Sequence, residues 1–228
     1  MYEGLVSHKL SVFCEKYGLL PAAQFAYRKG LGCTDALLTI SHHLQKSLDA
    51  GMESYNVQLD FSAAFDRVSH SALLFKFKFI GIGGSVLSIC TEFLSVRRQI
   101  VVVDGAASKW IPTISGVAQG SVLGPLLFIL YTSKMFELVE NRPFSNADDS
   151  TLLAVVRTSA DRPAVAASLN RDYASIQEWC NHWCMILNPN KIKALVVSRF
   201  RTASQYSGLG LVCMGFLSER VPTSTSMA

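Results

Sequence analysis

Two short acidic motifs hold most of the chemistry this chain can offer. Asp60 closes the apolar run Val57-Gln58-Leu59 and opens the segment Asp60-Phe61-Ser62-Ala63-Ala64-Phe65-Asp66. Asp148 and Asp149 stand side by side in Asn146-Ala147-Asp148-Asp149-Ser150. Between them lies Ser115-Gly116-Val117-Ala118-Gln119-Gly120-Ser121. Neighbouring carboxylates repel one another, and a bound cation relieves that repulsion. An acid ending one strand and an acidic pair in a later hairpin are a donor set for hard divalent cations. Two such ions about 3.5–4 Å apart can activate a hydroxyl and stabilise a leaving oxygen in phosphoryl transfer.

Each motif alone also has a plain structural reading. Asp after a strand serves turns and caps, and Asp pairs occur in hairpins for backbone reasons. Their order around a Gly-rich Gln-Gly-Ser segment gives the combination its weight.

The elements that must position these residues follow from periodicity. Leu5, Val6, Leu10, Phe13 and Cys14 predict a helix over 3–17, stopped at Gly18. Thr34 is read as the cap of a helix ending near Ala50, and Tyr55–Phe61 as a strand. Ser69 caps a helix carrying Leu73, Leu74 and Phe77, and a further helix covers 85–94. Residues 99–103 read as a strand, Asp104-Gly105 as a hairpin turn, and a second strand is expected near Trp110. Residues 121–140 read as one long apolar helix, 144–147 and 151–155 as strands, 163–183 as a helix, and 194–197 as a last strand. Strands and helices mix without strict alternation, so the fold class is α+β. Beyond Arg201 the chain turns Ser-, Thr- and Gly-rich and is expected to be loose.

The 228 residues, half of them hydrophobic, are enough for a substantial core and exclude a disordered chain. The net charge of +4 suits a nucleic-acid partner without a dense basic tract. Six cysteines lack a disulfide-framework spacing and read as free thiols. In Cys180-Asn181-His182-Trp183-Cys184 the cysteines share a helix face but His182 points elsewhere, which favours buried thiols over zinc. Met1-Tyr2-Glu3 does not open a signal peptide. The apolar run 122–131 is well short of the ~20 residues of a membrane span.

The motifs together resemble the reverse transcriptase domain of non-LTR retrotransposons of the jockey/chicken-repeat LINE type. The resemblance runs from Val6 to Ser198. It is carried by Gln24-Phe25-Ala26-Tyr27-Arg28-Lys29-Gly30, Leu59–Val68, Phe93–Gly105, Ser115–Leu127, Ala147–Leu153 and Leu187-Asn188-Pro189-Asn190-Lys191. It implies a polymerase palm, an antiparallel sheet backed by helices, with residues 1–54 part of the fingers, 55–200 the palm and 201–228 a tail that does not match.

The resemblance further implies that Asp60, Asp148 and Asp149 hold Mg²⁺, with Mn²⁺ as a substitute, and that the Phe61 carbonyl adds a ligand. Phe65 falls at the sugar gate, Gln119 and Gly120 at the loop touching the incoming nucleotide and template base. Lys191 falls at the position of a proton donor to pyrophosphate. Arg28, Arg97 and Arg98 are placed to meet template or primer phosphates, charged surface being the equal alternative. The implied partners are an RNA template, a DNA primer or target and deoxynucleoside triphosphates, with no membrane. The implied setting is nuclear, by the family's life cycle and not by any import signal.

Departures from the family pattern are Asn146 for the usual tyrosine, Ala118 for proline, Ala26-Tyr27 for Gly-Phe and Ile192 for threonine. The family's basic fingers hairpin is expected before Met1, and its primer grip and thumb after Ser198. Neither is matched here, nor is the family's endonuclease domain. Residues 218–226 are read as a frame-shifted stretch. The alternative to a polymerase fragment is an inactive relic or weak nucleic-acid-binding module. An RNA-templated RNA polymerase is disfavoured by the bulk of Phe65.

Overall fold

The computed structural model describes residues 2–199 and the backbone of 215–217. The expectations of a loose tail and of a frame-shifted stretch fall outside the described residues, apart from that short backbone segment. The chain forms two compact units, each built from three segments.

The first unit comprises Met1–Ala22, Ala63–Lys134 and Cys180–Ile186. It contains helices α1 (Tyr2–Lys16), α3 (His70–Phe79), α4 (Gly84–Ser95) and α5 (Gly124–Thr132). α5 is apolar on every side and is buried accordingly, from Leu126 through Thr132. Val6, Leu10 and Cys14 of α1, Leu73 and Phe77 of α3, and Cys90 and Leu94 of α4 complete its core. The Glu3 carboxylate accepts the backbone N–H of Leu123 at 2.9 Å, which ties α1 to the turn before α5. Lys76 is fully buried; its Nζ donates to the Tyr131 carbonyl at 2.8 Å and lies 5.0 Å from the centre of the Trp183 ring. Those partners stand in for the water the ammonium has lost.

α5 corrects the expected 121–140 helix. Ser121 Oγ donates to the Ala118 carbonyl and accepts from Gly124 N, which holds a turn ahead of the helix. At the far end Ser133 Oγ donates to the Leu130 carbonyl, and residues 133–138 continue as turns. Serine hydroxyls compete for backbone partners in this way and break helical runs.

The 98–113 hairpin is also more broken than expected. β2 (Arg98–Gln99) pairs with β5 (Ile111–Pro112), and β3 (Val102–Val103) with β4 (Ala106–Ala107). Between the two pieces Ser108 Oγ accepts the Val101 N–H in place of a ladder carbonyl. Asp104 and Gly105 turn the tip, both at positive φ, as a two-residue hairpin of this sequence should.

The second unit comprises Ala23–Ser62, Met135–Trp179 and Leu187–Ala228. Its centre is a five-stranded sheet of order β6-β7-β1-β8-β9, with β1 (Glu53–Leu59), β6 (Arg142–Asn146), β7 (Asp149–Val156), β8 (Lys193–Val197) and β9 (Gly215–Leu217). All pairings are antiparallel except β8 with β9. Strand period two sorts the side chains. Val57, Leu59, Ser150 and Leu152 share one face and are buried. Asn56, Gln58, Thr151 and Leu153 share the other.

On that second face Phe25, Phe144 and Leu153 cluster with Ala36, Ile40 and Leu44 of α2 (Cys33–Asp49). α2 begins two residues earlier than expected. Its cap is Gly32, whose carbonyl accepts from Ala36 N, so Thr34 lies inside the first turn. α6 (Arg162–His182) buries Ala166, Leu169, Tyr173 and Ile176 along one stripe. The Ser69 cap of α3 is present as expected, its side chain accepting from Ala72 N.

Candidate functional site

The acidic residues meet at one end of the second unit's sheet because of strand register. Leu59 pairs with Ser150, so the next step along each strand sets Asp60 against Asp149. On the other side the pairing with β8 ends at Gln58 and Lys193, and Lys191 closes the short 3-10 turn Pro189–Lys191 just before that strand. The backbone beyond β1 is held in place: the Asp60 carbonyl accepts from Asn188 N at 2.8 Å, and Phe61 bridges Leu187.

The turn joining β6 to β7 consists of Ala147 and Asp148 alone, since Asn146 pairs with Asp149. Ala147 adopts φ 63°, a left-handed conformation that costs a non-glycine residue about 1–3 kcal/mol.

Asp60, Asp149 and Lys191 line a single cavity of about 480 Å³. Asn56, Gln58 and Thr151 form part of its polar floor, and Ala36, Leu37 and Ile40 of α2 give it an apolar wall. Lys191 Nζ is 3.4 Å from Asp60 Oδ2. That oxygen is otherwise buried and accepts no hydrogen bond, so the lysine contact is an ion pair without hydrogen-bond geometry.

Asp148 is half-buried. Burial pushes its carboxyl above the usual range; a backbone hydrogen bond opposes this, and the charges of Asp149 and Asp60 add to it. The three carboxylates therefore lie within electrostatic reach of one another. Among the described residues, no three His, Cys, Asp or Glu side chains are gathered as a ready-made metal cluster.

The other expected residues fall as follows. Phe65 is half-buried in the first unit and stacks on Phe128, ring centres 4.2 Å apart. The 115–120 loop zips onto the same stretch: Val117 N donates to the Phe65 carbonyl, Gly116 N to the Val68 carbonyl, and Gln119 Nε2 to Asp66 Oδ1 at 3.3 Å. This brings Phe65, Gln119 and Gly120 into one neighbourhood within that unit. Arg97, just past α4, turns back on it, its Nε donating to the Phe93 carbonyl and its guanidinium lying over the Phe93 ring. Arg98 is exposed in β2. Arg28, in the second unit, donates to the Gln24 carbonyl at 3.2 Å.

Sequence reasoning passed over Gln24 as a functional residue. It is buried, and both ends of its side-chain amide bind the acidic turn. The cue was a polar residue next to Phe25 in an otherwise apolar stretch, and its partners lie 121–123 residues away.

Residues 2–213 match the family model described as reverse transcriptase (RNA-dependent DNA polymerase). The chain belongs to the reverse transcriptase family. It is 27% identical over 198 residues to the probable RNA-directed DNA polymerase from transposon BS of Drosophila melanogaster, covering 84% of this chain and 22% of the relative. It is 28% identical to the RNA-directed DNA polymerase from mobile element jockey of the same species, covering 83% of this chain and 21% of that protein. It thus spans about a fifth of the length of these relatives.

Among solved structures it resembles apo telomerase from Candida tropicalis truncated from the C-terminal domain, with TM-score 0.59, 16% identity, and 87% of this chain and 40% of that chain covered. It also resembles telomerase from Candida albicans in complex with a TWJ fragment of telomeric RNA, with TM-score 0.57, 15% identity, and 86% and 35% covered. These likenesses establish the fold, a partial reverse transcriptase palm of the α+β class.

Proposed function

We propose that this chain is the palm-centred part of an RNA-directed DNA polymerase of a mobile element, and that Asp60, Asp148 and Asp149 hold its divalent cations. The observation that carries the reading is the strand register that sets Asp60 against Asp149 beside the Asp148 turn. The donor set fits hard cations. Asp60 Oδ2 is a buried oxygen without a hydrogen bond, and Asp148 is held in a field of like charge. When bound, Mg²⁺ or Mn²⁺ would polarise a primer 3′-OH and a nucleotide's phosphate oxygens.

The chain's own residues would do the rest. Asp60 and Asp148 would fix the ions, with Asp149 beside them and the Phe61 carbonyl adjoining. Lys191, now paired with Asp60, would supply a cation at the acidic cavity and a proton for the leaving pyrophosphate. Phe65, stacked on Phe128 and so held in one orientation, would disfavour a ribose 2′-OH. Gln119 and Gly120 would meet the nucleotide, and Arg28, Arg97 and Arg98 the phosphates of an RNA template and DNA primer.

The test is primer extension by the purified chain with an RNA template, a DNA primer, Mg²⁺ or Mn²⁺, and dNTPs or rNTPs. Extension with dNTPs that Asp148→Asn abolishes is the expected result. Template-primer binding without extension would overturn it in favour of a nucleic-acid-binding module. Preference for rNTPs would overturn the proposed role of Phe65.

A further inference from the structure

The amide of Gln24 is fully used. It is 2% exposed. Its Oε1 accepts from Ala147 N at 3.0 Å and from Ala26 N at 2.9 Å. Its Nε2 donates to the Ala147 carbonyl at 3.3 Å and to Ser145 Oγ at 3.2 Å. A glutamine side chain has two acceptor lone pairs and two N–H donors, and all four are spent here. The main chain on either side reinforces the grip: Phe25 N donates to the Ser145 carbonyl at 2.8 Å, and Ser145 N to the Ala23 carbonyl at 2.7 Å. Gln24 therefore bridges Ser145 as a short parallel pairing along the outer side of β6.

The grip falls on the one strained residue of the acidic turn. Ala147 sits at φ 63°, where no glycine eases the backbone. Removing Gln24 would take the acceptor from the Ala147 N–H and leave the Ala147 carbonyl with Ser145 Oγ, which donates to it at 3.1 Å. The turn would then be free to relax. Asp148 is the only other residue in that turn, so a rotation at Ala147 passes directly to the Asp148 carboxylate.

We propose that Gln24 is a positioning residue. By holding both backbone groups of Ala147 it keeps the turn in its left-handed form and fixes the direction in which Asp148 presents its carboxylate. The inference rests on reading Asp148 as a cation-binding group.

The test uses Gln24→Met, which keeps the length of the side chain and loses every hydrogen bond, and Gln24→Asn, whose amide is too short to span the turn. Three quantities are read: amide exchange at Ala147 and Asp148, Mn²⁺ affinity by electron paramagnetic resonance, and the cooperativity of urea unfolding. Both variants should unfold cooperatively, exchange the Ala147 amide at least about 10-fold faster, and bind Mn²⁺ about 10-fold or more weakly, as for other residues that orient metal ligands. If Gln24→Met does not fold, Gln24→Asn carries the same expectation. Exchange at Ala147 unchanged from wild type would overturn the clamp, and faster exchange with undiminished Mn²⁺ affinity would overturn its link to Asp148. A wild-type chain without Mn²⁺ binding would instead overturn the reading of the carboxylates, and amide exchange would still judge the clamp.

Discussion

Asp60 and Asp149 are the residues one step past the Leu59–Ser150 partnership that ends the β1–β7 pair, and both line the same cavity. Register puts them there. A slip of one residue would turn every side chain of β1 to the other face, and the burial of Val57 and Leu59 forbids it. The same apolar packing that stabilises the sheet therefore fixes the spacing of the charges.

Burial of the Asp148 carboxylate, with like charges beside it, should cost stability. The Asp148 carboxyl is raised above its ordinary value of 3.8, so the folded chain favours the protonated form more than the unfolded chain does. Its contribution is fully present below the unfolded value and is lost as pH rises through the folded one. Asp148→Asn should melt with wild type at the acid end and above it at neutral pH, in the presence of a chelator. The gain should be a few degrees, at roughly 2–4 °C per kcal/mol for a chain of this size. A melting curve lowered at pH 7 would contradict the sign.

Asp172 carries structural weight. Buried in the second unit, its carboxylate accepts from Glu140 N at 2.7 Å, Asn141 N at 2.9 Å and Asn141 Nδ2 at 2.8 Å. It thereby anchors the chain entering β6. Asp172→Ala strands these donors, and urea unfolding should lose about 3 kcal/mol.

Gly116 is where the 115–120 loop crosses the Asp66 backbone. A Cβ there would lie 2.9 Å from Asp66 Cα, at φ +87°. Gly116→Ala should destabilise by about 1–3 kcal/mol from strain alone, with the clash in addition. Gly120 has φ +77° and open space around it, so Gly120→Ala should cost only the strain. Equal losses in the two variants would contradict the close approach.

How much of this was legible in the sequence varied with the range of the interactions. The acidic motifs, the Ser69 cap and the Asp104-Gly105 turn were readable because each is decided by neighbouring residues. The end of α5 was not, because Ser133 breaks an apolar run through a hydroxyl that hydropathy does not weigh. Gln24 escaped because its role lies entirely in contacts more than a hundred residues away. The pairing of Lys191 with Asp60 was not legible either, because it is made by a turn that folds back beside the end of β1, 131 residues along the chain.

The cysteines give an independent check on burial. Desolvation pushes the thiols of Cys14, Cys90 and Cys180 up to about 12, 11 and 12. Cys33 and Cys184 are exposed. Iodoacetamide at pH 8, followed by peptide mass mapping, should label the exposed pair more than about 100-fold faster than the buried three, since only thiolates react. Comparable labelling of Cys14 or Cys180 in the native chain would contradict the packing described.

The central claim, that residues 60, 148 and 149 hold divalent cations together, is tested most directly by titrating Mn²⁺ into ¹⁵N-labelled chain and following amide broadening. The account predicts that the amides of 60–61 and 147–150 broaden first, and that Asp60→Asn and Asp148→Asn each remove the effect. Broadening centred elsewhere, or unchanged in both variants, would contradict it.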